Sequence, residues 1–144
     1  MDDKLYYTWQ DFEKDIVCLA KQIKKDKIEY KRIVAITRGG LFIAGLLSQY
    51  LDKVKIDTVS ISSYVGSAKK RMVIIKENTS NEPTLICDDV VDTGDTAFAV
   101  KKMYPNSKIV VLHYKSNNNP IIKPDYFMED TDRWICYPWE VNEK

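Results

Sequence analysis

The stretch Thr84-Leu85-Ile86-Cys87-Asp88-Asp89-Val90-Val91-Asp92-Thr93-Gly94-Asp95-Thr96 decides the fold. Residues 84–87 show no polar alternation, which suits a strand covered on both faces. Two acids close that strand, a glycine-containing turn follows, and a helix is expected to run to about Met103, where Pro105-Asn106 stops it. Working outward, Ile33-Val34-Ala35-Ile36 repeats the pattern: a buried strand, an interruption at Arg38-Gly39-Gly40, then an almost wholly apolar helix over 41–51. Residues 54–62 read as a further strand, and Val73-Ile74-Ile75 resumes one after a small, polar and basic stretch over 64–71. Turn chemistry fills 78–83, and Ile109-Val110-Val111-Leu112 is the next strand. Strands alternating with helices imply an open, mainly parallel α/β sheet flanked by helices.

Ahead of this pattern, Thr8 and Asp11 have capping-box spacing, with Asp in place of the usual Glu. Behind them Phe12, Ile16, Leu19, Ala20 and Ile23 recur at helical spacing, while the lysines of 21–27 lie mostly on the other face. An amphipathic packing helix is the reading. From Lys115 onward the chain is loop-rich and ends in an aromatic cluster over 134–139.

A chain of 144 residues suits one domain over 1–144, at about 150 residues per domain. Twenty-two Lys and Arg against 21 Asp and Glu leave a formal charge of +1, which provides no footprint for general nucleic-acid binding. Cys18, Cys87 and Cys136 are odd in number and have no C-x-x-C spacing, which argues against a disulfide scaffold or a zinc site and for a cytoplasmic setting. Met1-Asp2-Asp3-Lys4 lacks the pattern of a signal peptide, and the apolar run 41–47 is too short to cross a bilayer. The lone His113 sits among apolar neighbours and reads as a packed strand residue.

In an open α/β sheet, ligands bind beyond the carboxyl ends of the strands, so residues 85–96 carry the most chemistry. The turn after Asp92 presents backbone N–H groups, a helix N-terminus and two hydroxyls to one point, which suits a phosphate monoester. Adjacent Asp88 and Asp89 suit the hydroxyls of a sugar and a hydrated Mg²⁺. Together they suggest a phosphorylated ribose bound with magnesium.

Residues 86–96 resemble the phosphoribosyl pyrophosphate (PRPP) signature of the type I phosphoribosyltransferases: an apolar strand, two acids, two apolar residues, then Asp-Thr-Gly-x-Thr. The segment 35–41 resembles the pyrophosphate loop of that family. Residues 57–64, and Trp134-Ile135-x-x-Pro138-Trp139, are similar to the bacterial xanthine-guanine enzymes. The resemblance runs in order over most of the chain, and implies the type I fold with a small hood over about 115–144. It further implies transfer of 5-phosphoribosyl from PRPP to N9 of a 6-oxopurine, namely guanine, xanthine or hypoxanthine, with Mg²⁺ as cofactor.

The same resemblance assigns roles residue by residue. Arg38, Gly39 and Gly40 would cradle pyrophosphate, with a cis peptide near Arg38-Gly39. Asp88 and Asp89 would hold the ribose hydroxyls and the metal, Asp89 foremost. Asp92, Thr93, Gly94, Asp95 and Thr96 would surround the 5′-phosphate, and Asp92 would also serve catalysis near N7 of the base. Lys115 would donate to the 6-oxo group, Trp134 would stack on the purine, and the Ile135 backbone would read the base edge. Lys69, with Lys70 and Arg71, falls in the mobile loop that closes over PRPP. Of the remaining glycines, Gly45 reads as a helix-packing position.

Two departures stand out. Cys136 replaces a residue usually acidic in the xanthine-guanine enzymes, and Tyr137 stands where an amide is common; both belong to the wall facing the 2-position of the base. The family also usually continues beyond the position of Lys144, in a tail that completes the pocket or the contacts of a dimer or tetramer. The competing functions are a non-catalytic PRPP sensor on the same fold and a transferase for a non-purine base. The pairing of Lys115 with Trp134 favours the purine enzyme.

Overall fold

The computed structural model describes residues 3–66, 69–74 and 79–141, with backbone only for 62–74. Its elements in chain order are β1 (Lys4–Tyr6), α1 (Trp9–Lys25), β2 (Arg32–Thr37), α2 (Gly40–Tyr50), β3 (Ile56–Gly66), β4 (Lys69–Ile74), β5 (Thr84–Cys87), β6 (Val90–Val91), α3 (Asp95–Met103), β7 (Ser107–Val110), β8 (His113–Tyr114), β9 (Glu129–Asp130) and β10 (Trp134–Cys136). A 3₁₀ turn (Ser116–Asn118) follows β8.

Five strands form the main sheet in the order β4-β3-β2-β5-β7, parallel throughout except for the antiparallel β3–β4 pair. From central β2 the chain moves to β3 on one side and later to β5 on the other. The crevice beyond the carboxyl ends of β2 and β5 is therefore a topological switch point, the usual ligand position in such sheets. Two smaller parallel sheets, β6-β8-β9 and β1-β10, sit beyond it.

Alternation along the buried strands builds two cores. Ile33, Ala35, Leu85, Cys87 and Val110 face α1 and α2. Val34, Ile36, Ile86 and Ile109 face Ala97, Val100 and Met103 of α3. Side chains successive along a strand point to opposite faces, so a run of apolar residues is what a three-layer arrangement demands. The spacing-derived face of α1, Phe12, Ile16, Leu19, Ala20 and Ile23, is buried in full, and the Thr8–Asp11 capping box is present in both directions. His113 is 1% exposed, as its surroundings in sequence imply.

Several expectations are corrected. The third strand begins at Ile56 and runs to Gly66, longer than 54–62, and it turns back on β4 across much of the stretch read as polar loop. The strand expected over 109–112 ends at Val110 and resumes as β8, because the backbone N–H groups of Leu112 and His113 turn to the carbonyl of Asp89. Helix α2 is buried on one face only: Leu41, Phe42 and Tyr50 are exposed despite their apolar character. Gly45 lies on that open face, and a Cβ there would meet nothing within 4 Å, so it is no packing position. No disulfide joins the cysteines among the described residues, and no described helix is long and apolar enough to cross a membrane.

Since Gly45 carries only the entropic penalty of glycine in a helix, Gly45→Ala should stabilise the fold by about 0.5–1 kcal/mol. Urea denaturation checks this; a loss of stability would mean that something packs on that face.

Candidate active site

Two strand ends meet at the switch point. After β2 come Arg38 and Gly39, and after β5 come Asp88 and Asp89, with Ala35 of β2 in register with Cys87 of β5. The approach leaves no room for side chains on the loop. A Cβ on Gly39 would lie 2.3 Å from Asp89 Oδ2, and one on Gly40 would lie 2.2 Å from the Cys87 carbonyl oxygen. These glycines are there because the acid tip occupies the space their side chains would take. A cis peptide joins Thr37 to Arg38, one bond before the position expected from sequence.

Asp89 is only 9% exposed, and its backbone N–H donates to Asp88 Oδ1 at 2.8 Å. No salt bridge satisfies either carboxylate among the described residues. Burial pushes the Asp88 carboxyl well above the usual carboxylate range, and the adjacent Asp89 charge pushes it further. Burial raises Asp89 as well. Two raised carboxyls side by side are poised for a cation, which would relieve both desolvation and mutual repulsion. Hard oxygen donors of this kind suit Mg²⁺, which typically takes one or two carboxylates and completes its shell with water and substrate phosphates. Among the described residues there is no cluster of three or more ligating side chains.

From this tip the chain passes through β6 into the turn 92–94. Gly94 adopts a left-handed conformation (φ 84°) and caps α3, while the Asp95 N–H donates to Thr93 Oγ1 at 3.3 Å. Residues 88–97 line a cavity of about 220 Å³. Asp92, Thr93, Gly94, Asp95 and Thr96 thus gather at one point, next to Asp88 and Asp89.

The C-terminal segment supplies the other side. The backbone N–H of Lys115 donates to the Val91 carbonyl at 3.0 Å, and its ammonium lies 5.7 Å from the centre of the Trp134 ring. Trp134 is half exposed, whereas the Ile135 side chain is buried. A second cavity, about 650 Å³, is lined by Arg38, Gly39, Leu41, Phe42, Trp134, Trp139, Glu140 and Val141. Cys136 and Tyr137 do not line this cavity, and both side chains are buried. Lys69, Lys70 and Arg71 lie on β4, and their side chains, like residues 67 and 68, lie outside the described part of the structure.

The site also contains residues that sequence reasoning missed. Asn118 Nδ2 donates to Asp92 Oδ1, and the Ile121 N–H donates to the Thr93 carbonyl at 2.9 Å, so the loop after Lys115 is fastened to the turn 92–94. Phe42, Trp139 and Tyr137 form a continuous stack, with ring centres 5.0 and 4.9 Å apart. Asn118, Ile121 and Phe42 meet partners distant in sequence and carry no local pattern, whereas Tyr137 and Trp139 belong to the aromatic cluster visible over 134–139.

A phosphoribosyl transferase domain model matches residues 4–143, nearly the whole chain. The chain belongs to the phosphoribosyltransferase family. It is similar to a purine phosphoribosyltransferase from Pyrococcus horikoshii at 31% identity, with 96% of this chain and 95% of that one covered and a TM-score of 0.83. A Helicobacter pylori xanthine-guanine-hypoxanthine phosphoribosyltransferase is 24% identical over 97% and 96% of the two chains, also at TM-score 0.83. A hypothetical protein of Neisseria gonorrhoeae with bound ppGpp is 25% identical over 97% and 90%, at TM-score 0.79. The mainly parallel sheet flanked by helices is thus the type I fold that residues 86–96 implied.

Beneath this phosphoribosyltransferase site, burial lowers the pKa of His113 from 6.5 to about 4. The unfolded chain then binds the proton more tightly between those values. His113 therefore contributes stability that is present above pH 6.5 and lost as pH falls towards 4, by roughly 3 kcal/mol in full. Asp88 and Asp89, raised in the fold, act with the opposite sign above their unfolded pKa. The stability difference between wild type and His113→Asn should narrow by that amount from pH 6.5 to 4, measured by urea denaturation across pH. A constant difference would contradict the assignment.

Proposed function

We propose that this chain is a purine-salvage phosphoribosyltransferase acting on a 6-oxopurine: guanine, xanthine or hypoxanthine. The carrying observation is the Lys115 ammonium held 5.7 Å from the Trp134 ring, beside the acid tip and the turn 92–94. A cation that can only donate, set next to a stacking surface, suits a purine with an oxygen at position 6 and disfavours an exocyclic amine. The purine names of the Pyrococcus and Helicobacter proteins, and the guanine nucleotide bound by the Neisseria protein, agree with it.

In this reading the bond from C1′ of PRPP to pyrophosphate oxygen breaks as the bond from C1′ to purine N9 forms. Positive charge develops at the ribose carbon and negative charge on the departing group, so catalysis rests on positioning and charge. Turn 92–96 binds the 5′-phosphate, and Arg38 with the backbone of Gly39 and Gly40 receives pyrophosphate. Asp88 and Asp89 orient the ribose hydroxyls and would hold Mg²⁺, Asp89 foremost. When bound, the metal supplies charge neutralisation for the pyrophosphate. Trp134 stacks on the base, the Ile135 backbone reads its edge, and Asp92 takes the proton released from the purine at N7. Lys69, with its neighbours, completes the phosphate contacts. The chain works as one domain with a hood over about 115–144, in the cytoplasm, as a dimer or tetramer.

With PRPP, Mg²⁺ and a panel of bases, turnover is expected for 6-oxopurines and not for orotate or uracil. PRPP binding without turnover on any base would mark a sensor instead. Asp92→Ala should lower kcat by roughly 10²–10⁴-fold. Lys115→Ala should reduce kcat/KM for 6-oxopurines about tenfold, the loss expected of one charge-assisted hydrogen bond. Full activity in both variants would overturn the residue roles.

A further inference from the structure

The peptide after the acid pair is held from an unexpected direction. The carbonyl of Asp89 accepts from the backbone N–H groups of Leu112 at 3.0 Å and His113 at 3.1 Å. It also accepts from the hydroxyl of Tyr137 at 3.1 Å, which reaches in from the C-terminal segment beyond β10. Tyr137 Oη lies 2.9 Å from His113 Nδ1. A carbonyl oxygen only accepts, so the hydroxyl's one proton goes to Asp89. The hydroxyl must then accept from His113, which puts a proton on Nδ1 of that imidazole. Burial keeps both groups in these forms, holding the tyrosine hydroxyl protonated and the histidine neutral.

The surroundings hold this relay still. Tyr137 is 3% exposed and stacks on Trp139, and the Tyr7 ring packs edge-on against His113 at 5.0 Å. On the far side of Asp89, the carboxylate lies against Gly39 with no space to spare. Rotation of the peptide that carries Asp89 would move its carboxylate against the pyrophosphate loop.

We propose that Tyr137 is a positioning residue for the acid pair: its hydroxyl, backed by His113 Nδ1–H, locks the Asp89 carbonyl and so aims the Asp89 carboxylate at the metal-bound substrate. This rests on the reading of Asp88 and Asp89 as the PRPP-Mg²⁺ site. It also ties the strand that supplies Trp134 and Ile135 to the strand tip that supplies the acids, through one hydroxyl.

The test compares Tyr137→Phe, which keeps the ring and its stack, with Tyr7→Phe, which removes a neighbouring buried hydroxyl bonded to Asp15 instead. Calorimetry with PRPP and Mg²⁺ should give a Kd raised about fivefold to tenfold in Tyr137→Phe, the usual worth of one hydrogen bond, with more Mg²⁺ needed for half-saturation. Tyr7→Phe should lose thermal stability without a change in that Kd. KM for PRPP should rise in Tyr137→Phe while KM for the base stays put. His113→Asn, whose amide can replace the Nδ1 donor, should bind PRPP-Mg²⁺ more tightly than His113→Ala. Nitrogen-15 NMR of the wild type should report the Nδ1–H tautomer. An Nε2–H tautomer, or an unchanged Kd in Tyr137→Phe, overturns the proposal. Asp89→Asn separates the two layers: if it binds PRPP-Mg²⁺ like wild type, the site reading fails. If it loses binding while Tyr137→Phe does not, only the positioning role fails.

Discussion

The close contact between Gly39, Gly40 and the tip of β5 is the constraint around which this molecule is arranged. The sheet sends its chain left and right from β2, which opens a crevice between β2 and β5; the two glycines then let backbone and carboxylate share that crevice at distances no side chain would allow. Burial of two acids there is unfavourable by itself, and it is eased by backbone N–H groups that donate to the carboxylates, that of Asp89 to Asp88 Oδ1 among them. The fold holds in place a pair of buried acids whose mutual repulsion a cation would relieve.

Around that contact the site divides into two halves with different physical demands. The half at turn 92–96 is made of short backbone geometry: a left-handed glycine, a helix start and small hydroxyls. The half at Lys115 and Trp134 is made of large side chains, one charged and one aromatic, partly open to solvent. Loop 116–122 fastens the two together through Asn118 and Ile121. One half therefore rests on main-chain geometry, and the other on side chains that substitution can retune.

Much of this was legible in the residues. The buried strands announced themselves through runs such as Ile33-Val34-Ala35-Ile36, because a strand packed on both faces has no polar position to spare. The buried face of helix α1 was readable to the residue from its 3.6 spacing. The strand-end motifs lie within single local segments, so the order of chemistry along the chain was visible too. Helix α2 was less so: with apolar residues all round, composition could not say which face the sheet would cover. Strands of two or three residues, such as β1 and β8, carry no periodicity. Tyr137 and Asn118 meet their partners across 48 and 26 positions, and only the assembled fold makes those pairs.

The parallel pairing of β1 with β10 has a consequence for biosynthesis. Leu5 finds its partner only at Ile135, so the opening strand must wait, unpaired, while the ribosome makes almost everything between. The second cavity, to which β10 contributes Trp134, is complete only once that segment has been made. A nascent chain can assemble the central sheet and the turn over 92–96 well before the second cavity has its last walls. Chains cut short before residue 134 would accordingly lack the wall that Trp134 supplies.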